Sequence, residues 1–238
     1  VVPVLYHVMA TLGVSAAVRM HLAIGTTLAA MVPASLASAR THFAQGTFDA
    51  VLLQRLAAPL LAGAVIGIAF YAVAGERTLA VVFALFALPI ALFLALDRLR
   101  RPLAAHPPRR VTGLVLPALI GGAAAATGMG GSTIGAPALV LGGMRADQAS
   151  TIASAMGAIV SLPAAFGAYI AGWHAADLPP YSLGYVNLAG LALVAPILLA
   201  MEPAGAALAH LIDLKRLHLV FAALIAIITA RMLWDALS

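Results

Sequence analysis

The stretch Thr127-Gly128-Met129-Gly130-Gly131-Ser132-Thr133-Ile134-Gly135-Ala136-Pro137 decides how this chain is read. It sits inside an apolar run, 111–143, that contains no charged residue. A spanning helix takes about 20 apolar residues at about 1.5 Å each, so this run is too long for one helix. The glycines permit positive φ and close backbone approach. Non-helical backbone at membrane depth is tolerated only where it is buried in protein or lines a wet cavity. A short helix starting near Ser132 would point free N–H groups and a positive dipole end into such a cavity, which suits an anion. Close helix packing through small residues is the competing reading of the same glycines. It does not, however, require Ser132 or Thr133.

The rest of the sequence supports a membrane setting. Of 238 residues, 63% are hydrophobic and 9% charged, whereas a soluble domain carries about 25% charged residues. This excludes an ordinary cytosolic domain and a disordered chain. The net charge is +5, but the cations stand singly or in pairs between apolar runs, so no nucleic-acid partner is expected. The chain has no cysteine, which removes disulfides, thiolate metal sites and cysteine catalysis. Six further apolar stretches approach spanning length: 22–39, 56–74, 78–96, 149–173, 183–201 and 217–230. Residues 1–13 are too short to span alone. Alternating strand patterns are absent, so the fold class is an all-α polytopic membrane protein in contact with lipid.

The longest polar connector, 97–110, carries Arg98, Arg100, Arg101, Arg109 and Arg110. It divides the chain into a first membrane repeat (1–98), a basic linker (99–110) and a second repeat (111–238). Several matches follow one order: Val82-Phe83-Ala84 with Val220-Phe221-Ala222, Asp97 with Asp235, Ala58-Pro59 with Ala195-Pro196, Pro33 with Pro163, and Pro3 with Pro137. Two homologous halves follow, each with a Gly-rich broken or re-entrant helix and three spanning helices, an arrangement typical of secondary transporters. The first-half equivalent of 111–136 is expected ahead of Val1, outside this sequence.

Charge placement orients the halves. If every segment crossed, Arg40, Arg55, the five linker arginines and Arg231 would face Arg19, Arg77, Arg145, Lys215 and Arg216. If the Gly-rich segments re-enter instead, only Arg19, Arg77 and Arg231 face away from the other ten. Cations prefer the cytoplasmic face, so the re-entrant arrangement, and with it an inverted repeat, is the expectation.

A second polar stretch, Met20-His21-Leu22-Ala23-Ile24-Gly25-Thr26-Thr27, opens the next helix, with Ser150, Thr151 and Ser154 in the matching place of the second half. The candidate substrate-binding residues are therefore His21, Gly25, Thr26, Thr27, Gly128, Gly130, Gly131, Ser132, Thr133 and Ser154. Against this, a helical Thr hydroxyl commonly bonds its own i−4 carbonyl, and His21 near Arg19 also fits an interfacial residue. Arg145 can snorkel to the interface. Glu202 reads either as a proton-coupling carboxylate or as an interfacial group. Arg231, His7 and Asp235 read as helix anchors. No hydrolase or phosphate-loop motif occurs, so neither an enzyme nor a cofactor or metal site is expected.

His21-Leu22-Ala23-Ile24-Gly25-Thr26-Thr27, continued by 32–42, and Gly128-Met129-Gly130-Gly131 followed by Pro137, together resemble the sulfite exporter TauE/SafE family. The usual third glycine of that family is Ser132 here, and its Gly-Thr-Ser is Gly25-Thr26-Thr27. The resemblance implies export of a small sulfur-containing anion, sulfite or an organosulfonate, across the bacterial cytoplasmic membrane. A passive anion channel and a transporter of a small non-sulfur carboxylate are the alternatives.

Overall fold

A computed structural model describes residues 1–44, 50–95, 111–209 and 214–237. The basic connector and Asp213 lie outside the described residues, as do the side chains of Glu202, Lys215 and Arg216.

The described chain is helical throughout, apart from one small hairpin. Helices α1 (Val2–Thr11), α2 (Ala16–Ala44), α3 (Ala50–Val73) and α4 (Glu76–Ala95) form the first group. A π-helical turn, Val111–Val115, leads into α5 (Leu116–Thr127). After it come α6 (Gly131–Leu141), α7 (Ala146–Ala171), strands β1 (Ser182–Leu183) and β2 (Val186–Asn187), α8 (Leu188–Ala209) and α9 (Leu214–Leu237). Four stretches among the described residues are long and apolar enough to cross a membrane: Ala16–Thr41, Val51–Val73, Glu76–Ala95 and Gln148–Ala171. The protein is thus a multi-pass α-helical membrane protein. Apolar side chains such as Ile66, Leu119, Leu193 and Ile227 face outward, as a lipid-facing surface requires.

The run 111–143 divides at its glycines, as its length demands. Gly128 ends α5 in the left-handed conformation (φ 68°), and Gly130 precedes α6 at φ 77°. With 12 and 11 residues, neither α5 nor α6 reaches the roughly 30 Å of a hydrocarbon core. The stretch 183–201 needs a correction. Its first residues form the β1–β2 hairpin, pairing Ser182 with Asn187 and Leu183 with Val186, and helix begins only at Leu188. The reason is local: the hairpin is anchored to two helices, as described below.

Two helical hairpins share one turn. Leu12, Gly13 and Val14 donate to the carbonyls of Val8, Ala10 and Met9; Gly142, Gly143 and Met144 donate to Ala138, Val140 and Leu139. The two sets differ by 130 at every position. Gly13 and Gly143 both have positive φ, and α2 and α7 start at Ala16 and Ala146. At this offset Pro33 matches Pro163, but Pro3 falls on Thr133 rather than Pro137. Proline fits either place, early in α1 or inside α6, so the Pro3–Pro137 pairing carried no register.

Helices α2 and α7 pack directly and antiparallel, with Ser35 against Ser161 and Gly25 against Ala168. At one end of this pair the Arg19 guanidinium lies over the Tyr6 ring at 5.3 Å, and Tyr6 Oη donates to Glu76 Oε1 at 2.9 Å. His7 Nε2 lies 3.3 Å from Asp235 Oδ2, tying α1 to α9.

Glycines bring α3 and α5 into backbone contact. A Cβ on Gly63 would run into the Ala118 carbonyl, one on Gly67 into the Gly122 carbonyl, and one on Gly121 into the Leu60 carbonyl. Lipid tails are as apolar as leucine, so such close van der Waals packing, not water exclusion, joins helices in a bilayer. Gly63→Leu should force these helices apart at a cost on the order of 1–3 kcal/mol or more. Thermal unfolding of the detergent-solubilised protein should show the loss, while Gly75→Ala, where an added Cβ meets nothing within 4 Å, should leave stability near that of the parent.

Candidate functional site

Sequence reasoning brought two polar stretches to one place; the structure sends them to three. His21, Gly25 and Thr26 do not meet the glycine break. They hold the β1–β2 hairpin. Tyr185 N–H donates to the Ala168 carbonyl at 3.2 Å, and Asn187 N–H donates to Thr26 Oγ1 at 2.9 Å. A Cβ on Gly25 would collide with the Tyr185 carbonyl. His21 is buried rather than interfacial: it stacks on Tyr185 with ring centroids 4.7 Å apart. Its Nε2 sits 3.1 Å from the Tyr71 carbonyl, while Tyr71 Oη donates to the His21 carbonyl at 2.8 Å. The physical reason is that these residues and the break occupy different faces of α2. His21, Gly25 and Thr26 lie toward the end of α2 where the last turn of α7 and the hairpin pack.

The glycine break meets α2 at a similar level but on another face, that of Ile24, Thr27 and Met31. Gly128 touches Ile24, so a Cβ there would be 3.2 Å from the Ile24 backbone. Gly131 abuts the α7 backbone, 2.8 Å from the Met156 carbonyl by the same measure. Met129 N–H approaches Thr127 Oγ1 at 3.4 Å, and Thr127 Oγ1 itself donates to Ala123. The first N–H groups of α6, at Gly131, Ser132 and Thr133, have no carbonyl ahead of them within the helix.

On one side of the break is a cavity of about 130 Å³ whose wall includes Ser35, Ser38, Gly130, Ser132 and Ser154. Two of these hydroxyls are committed: Ser35 donates to the Met31 carbonyl at 2.7 Å, and Ser154 to the Ser150 carbonyl at 3.0 Å. Ser35 Oγ is also 3.0 Å from Ser161 Oγ. Ser132 and Ser38 have no such bond among the described residues. On the other side is a cavity of about 230 Å³ that includes Thr27, Gly128 and Thr133. Met31 lines both, and a Cβ on Gly130 would touch its thioether at 2.8 Å. The described lining of the smaller cavity is neutral, so it offers hydrogen-bond donors without a buried cation. No cluster of three or more metal-binding side chains occurs among the described residues.

A model of the family described as Sulfite exporter TauE/SafE matches residues 1–232. The chain belongs to this family. It is also 25% identical over 188 residues to a "Probable membrane transporter protein" of Haemophilus influenzae, covering 79% of this chain and 71% of that one. No solved structure matches it. This TauE/SafE protein is accordingly a membrane transporter at the level of its family.

Sequence reasoning missed Ser35 and Ser38. A signal was present, because Met31, Ser35 and Ser38 recur at helical spacing (i, i+4, i+7) and so share one face of α2.

Thr26→Val removes the acceptor of the buried Asn187 N–H, whereas Thr26→Ser keeps it. An unsatisfied buried donor costs about 1–3 kcal/mol. The valine variant should melt measurably lower in detergent than the serine variant, and the pair of melting curves checks this assignment.

Proposed function

We propose that the protein is a secondary exporter of a small sulfur-containing anion, sulfite or an organosulfonate, across the bacterial cytoplasmic membrane. The observation that carries this reading is the start of α6 at the glycine break, beside a neutral serine-lined cavity. A sulfonate stays ionised at any relevant pH and offers three acceptor oxygens. Backbone N–H groups and hydroxyls can satisfy them without a buried cation, whose desolvation would be costly. The family match supports the substrate class.

In this reading Gly130, Gly131 and Ser132 bind the anion in the serine-lined cavity, with Ser154 shaping the space around it; Thr27, Gly128 and Thr133 stand in the wall of the larger cavity. His21, Gly25 and Thr26 close the end of the bundle through the hairpin, and contact with the substrate is not assigned to them. The two halves act as an inverted repeat. The identical turns 130 residues apart and the antiparallel course of α2 and α7 support this, since equivalent helices running oppositely are what a two-fold axis in the membrane plane produces. Arg19 and Arg77 then face away from the cytoplasm.

Gly130→Val demands a β-branched residue at φ 77° and against Met31. Proteoliposome counterflow of labelled sulfite should fall to background while the variant still inserts and purifies as a folded protein. Retained counterflow would remove the break from the transport path. The serines should separate. Ser132→Ala should weaken sulfite binding about tenfold or more, since a hydrogen bond to a charged group is worth about 1.5–3 kcal/mol and 1.4 kcal/mol is one decade. Ser154→Ala should change it little, because that hydroxyl already donates to its own helix. Equilibrium binding to both variants checks the difference.

A further inference from the structure

The hairpin end of α2 holds a buried nitrogen without a partner. His21 is 5% exposed. Its Nε2 lies 3.1 Å from the Tyr71 carbonyl, which can only accept, so Nε2 carries the hydrogen and donates. Nδ1 is then left with a lone pair, and it has no hydrogen-bond partner among the described residues. A buried polar atom left unpaired is costly and rare. Two tyrosines cover the ring: Tyr185 stacks on it at 4.7 Å, and Tyr71 is tilted against it at 5.1 Å. The other titratable and charged groups of the packed elements are turned elsewhere. Arg19, on the same helix, donates to the Val14 carbonyl and covers the Tyr6 ring of α1. Glu76 of α4 accepts the Tyr6 hydroxyl, and Tyr169 of α7 packs on Phe166 and Trp173. His174 and Asp177, ahead of the hairpin, are exposed.

The hairpin that seats Tyr185 is bonded largely to itself. Asn187 Nδ2 donates to the Pro180 carbonyl at 3.3 Å and to Ser182 Oγ at 3.2 Å, and Leu188 N–H donates to the Tyr181 carbonyl at 2.8 Å. Its ties to the helices beneath are the Tyr185–Ala168 and Asn187–Thr26 bonds. The chain leading into it holds Asp177 at φ 61° and Tyr181 at φ 62°, a left-handed conformation that a residue with a Cβ adopts at a cost. A unit folded on itself, strained at its root and lightly tied to its seat, can lift as one piece.

We propose that this hairpin is a lid over the end of α2 and α7 away from Ser38, and that a proton taken up at His21 Nδ1 lifts it. The ligand of the His21 site is thus a proton. This goes beyond the transport reading and does not depend on the substrate. In the seated form a proton on Nδ1 creates a buried cation with an unpaired N–H, which is costly. The face of the Tyr185 ring offsets part of that cost, but the Tyr71 carbonyl already receives its hydrogen from the neutral ring. Lifting the hairpin lets water reach Nδ1. The seated form is therefore neutral and the lifted form takes the proton. Acid favours lifting, and the effect fades as pH rises through the imidazole range.

The test uses the full chain in lipid nanodiscs. The sequence has no cysteine, so Val186→Cys, at a buried position, and Leu183→Cys, at an exposed one of the same hairpin, each report on one place. The labelling rate of Val186→Cys by a water-soluble maleimide, divided by that of Leu183→Cys, cancels the ionisation of the thiol and reads lifting. From pH 8 to pH 5.5 this ratio should rise about tenfold, because an exposed imidazole, with its ordinary value of about 6.5, is about ten-to-one protonated at pH 5.5. Adding His21→Gln, which keeps a donor for the Tyr71 carbonyl but takes no proton, should make the ratio flat. Adding His174→Gln should leave the rise intact. A flat ratio in protein that keeps His21 overturns the proposal, as does an equal rise in His21→Gln or a rise lost in His174→Gln. Hydrogen exchange of the Tyr185 and Asn187 amides in the unsubstituted chain gives a reading that needs no variant. Their protection, corrected for the intrinsic effect of pH, should fall about tenfold at pH 5.5 relative to pH 8, and unchanged protection overturns the proposal.

Discussion

The constraint on which the rest depends is the fate of backbone N–H groups where a helix stops inside an apolar environment. A membrane interior supplies no water to satisfy them. Between α5 and α6 the chain stops and restarts within three residues, at Gly128, Met129 and Gly130. Both glycines have positive φ, which a residue with a Cβ adopts only at a cost. The carbonyl end of α5 is closed by the Gly128 N–H bond to Ala124. The amide end of α6 is not closed in this way, since Gly130 offers no side-chain cap. The break therefore delivers unspent donors next to two cavities, one lined by serines and one mostly apolar with threonines in its wall.

Holding such a break in place requires close backbone packing around it. Gly131 lies against α7, Gly128 against α2, and the Gly63, Gly67, Gly121 and Gly122 contacts fasten α5 to α3. The hairpin depends on the same device, because Gly25, Gly172 and Gly184 admit the backbone of 184–185 and Tyr169 where any Cβ would collide. Glycine thus has three uses here: it bends the chain at the break, admits neighbouring helices, and seats the hairpin that closes one end of α2 and α7. Their sequence context looks alike, which is why spacing alone did not separate these uses.

The hydroxyls sort by whether their proton is free. A Ser or Thr on a helix loses its donor to the i−4 carbonyl at little cost, and Thr27, Thr127, Ser35 and Ser154 have done so. Ser132 and Ser38 have no such bond among the described residues, and both stand in the wall of the serine-lined cavity. The described wall of that cavity carries no charged side chain.

The all-α membrane class and the broken helix at Gly128–Gly131 were legible in the residues. Each follows from local chemistry: apolar length and glycine conformation. The proline pairing of Pro3 with Pro137 misled, because proline is tolerated at several helix positions and carries little register. The grouping of His21, Gly25 and Thr26 with the glycine break could not be read off either. Sequence spacing places residues on a helix face, but not the neighbour that face meets. Here α7 and the Tyr185 hairpin take the face of α2 that carries His21, Gly25 and Thr26, leaving the break to the face of Ile24, Thr27 and Met31. Thr229 shows the same limit. In the sequence it is one threonine in an apolar helix, and a hydroxyl there would be expected to bond its own backbone. Only the packing of α9, chiefly against α4, buries that hydroxyl without a partner among the described residues. The chain thus determined that a membrane helix would break and expose donors; tertiary contacts decided which side chains would stand around that break, because they depend on which helix faces meet and on close approach that no single segment encodes.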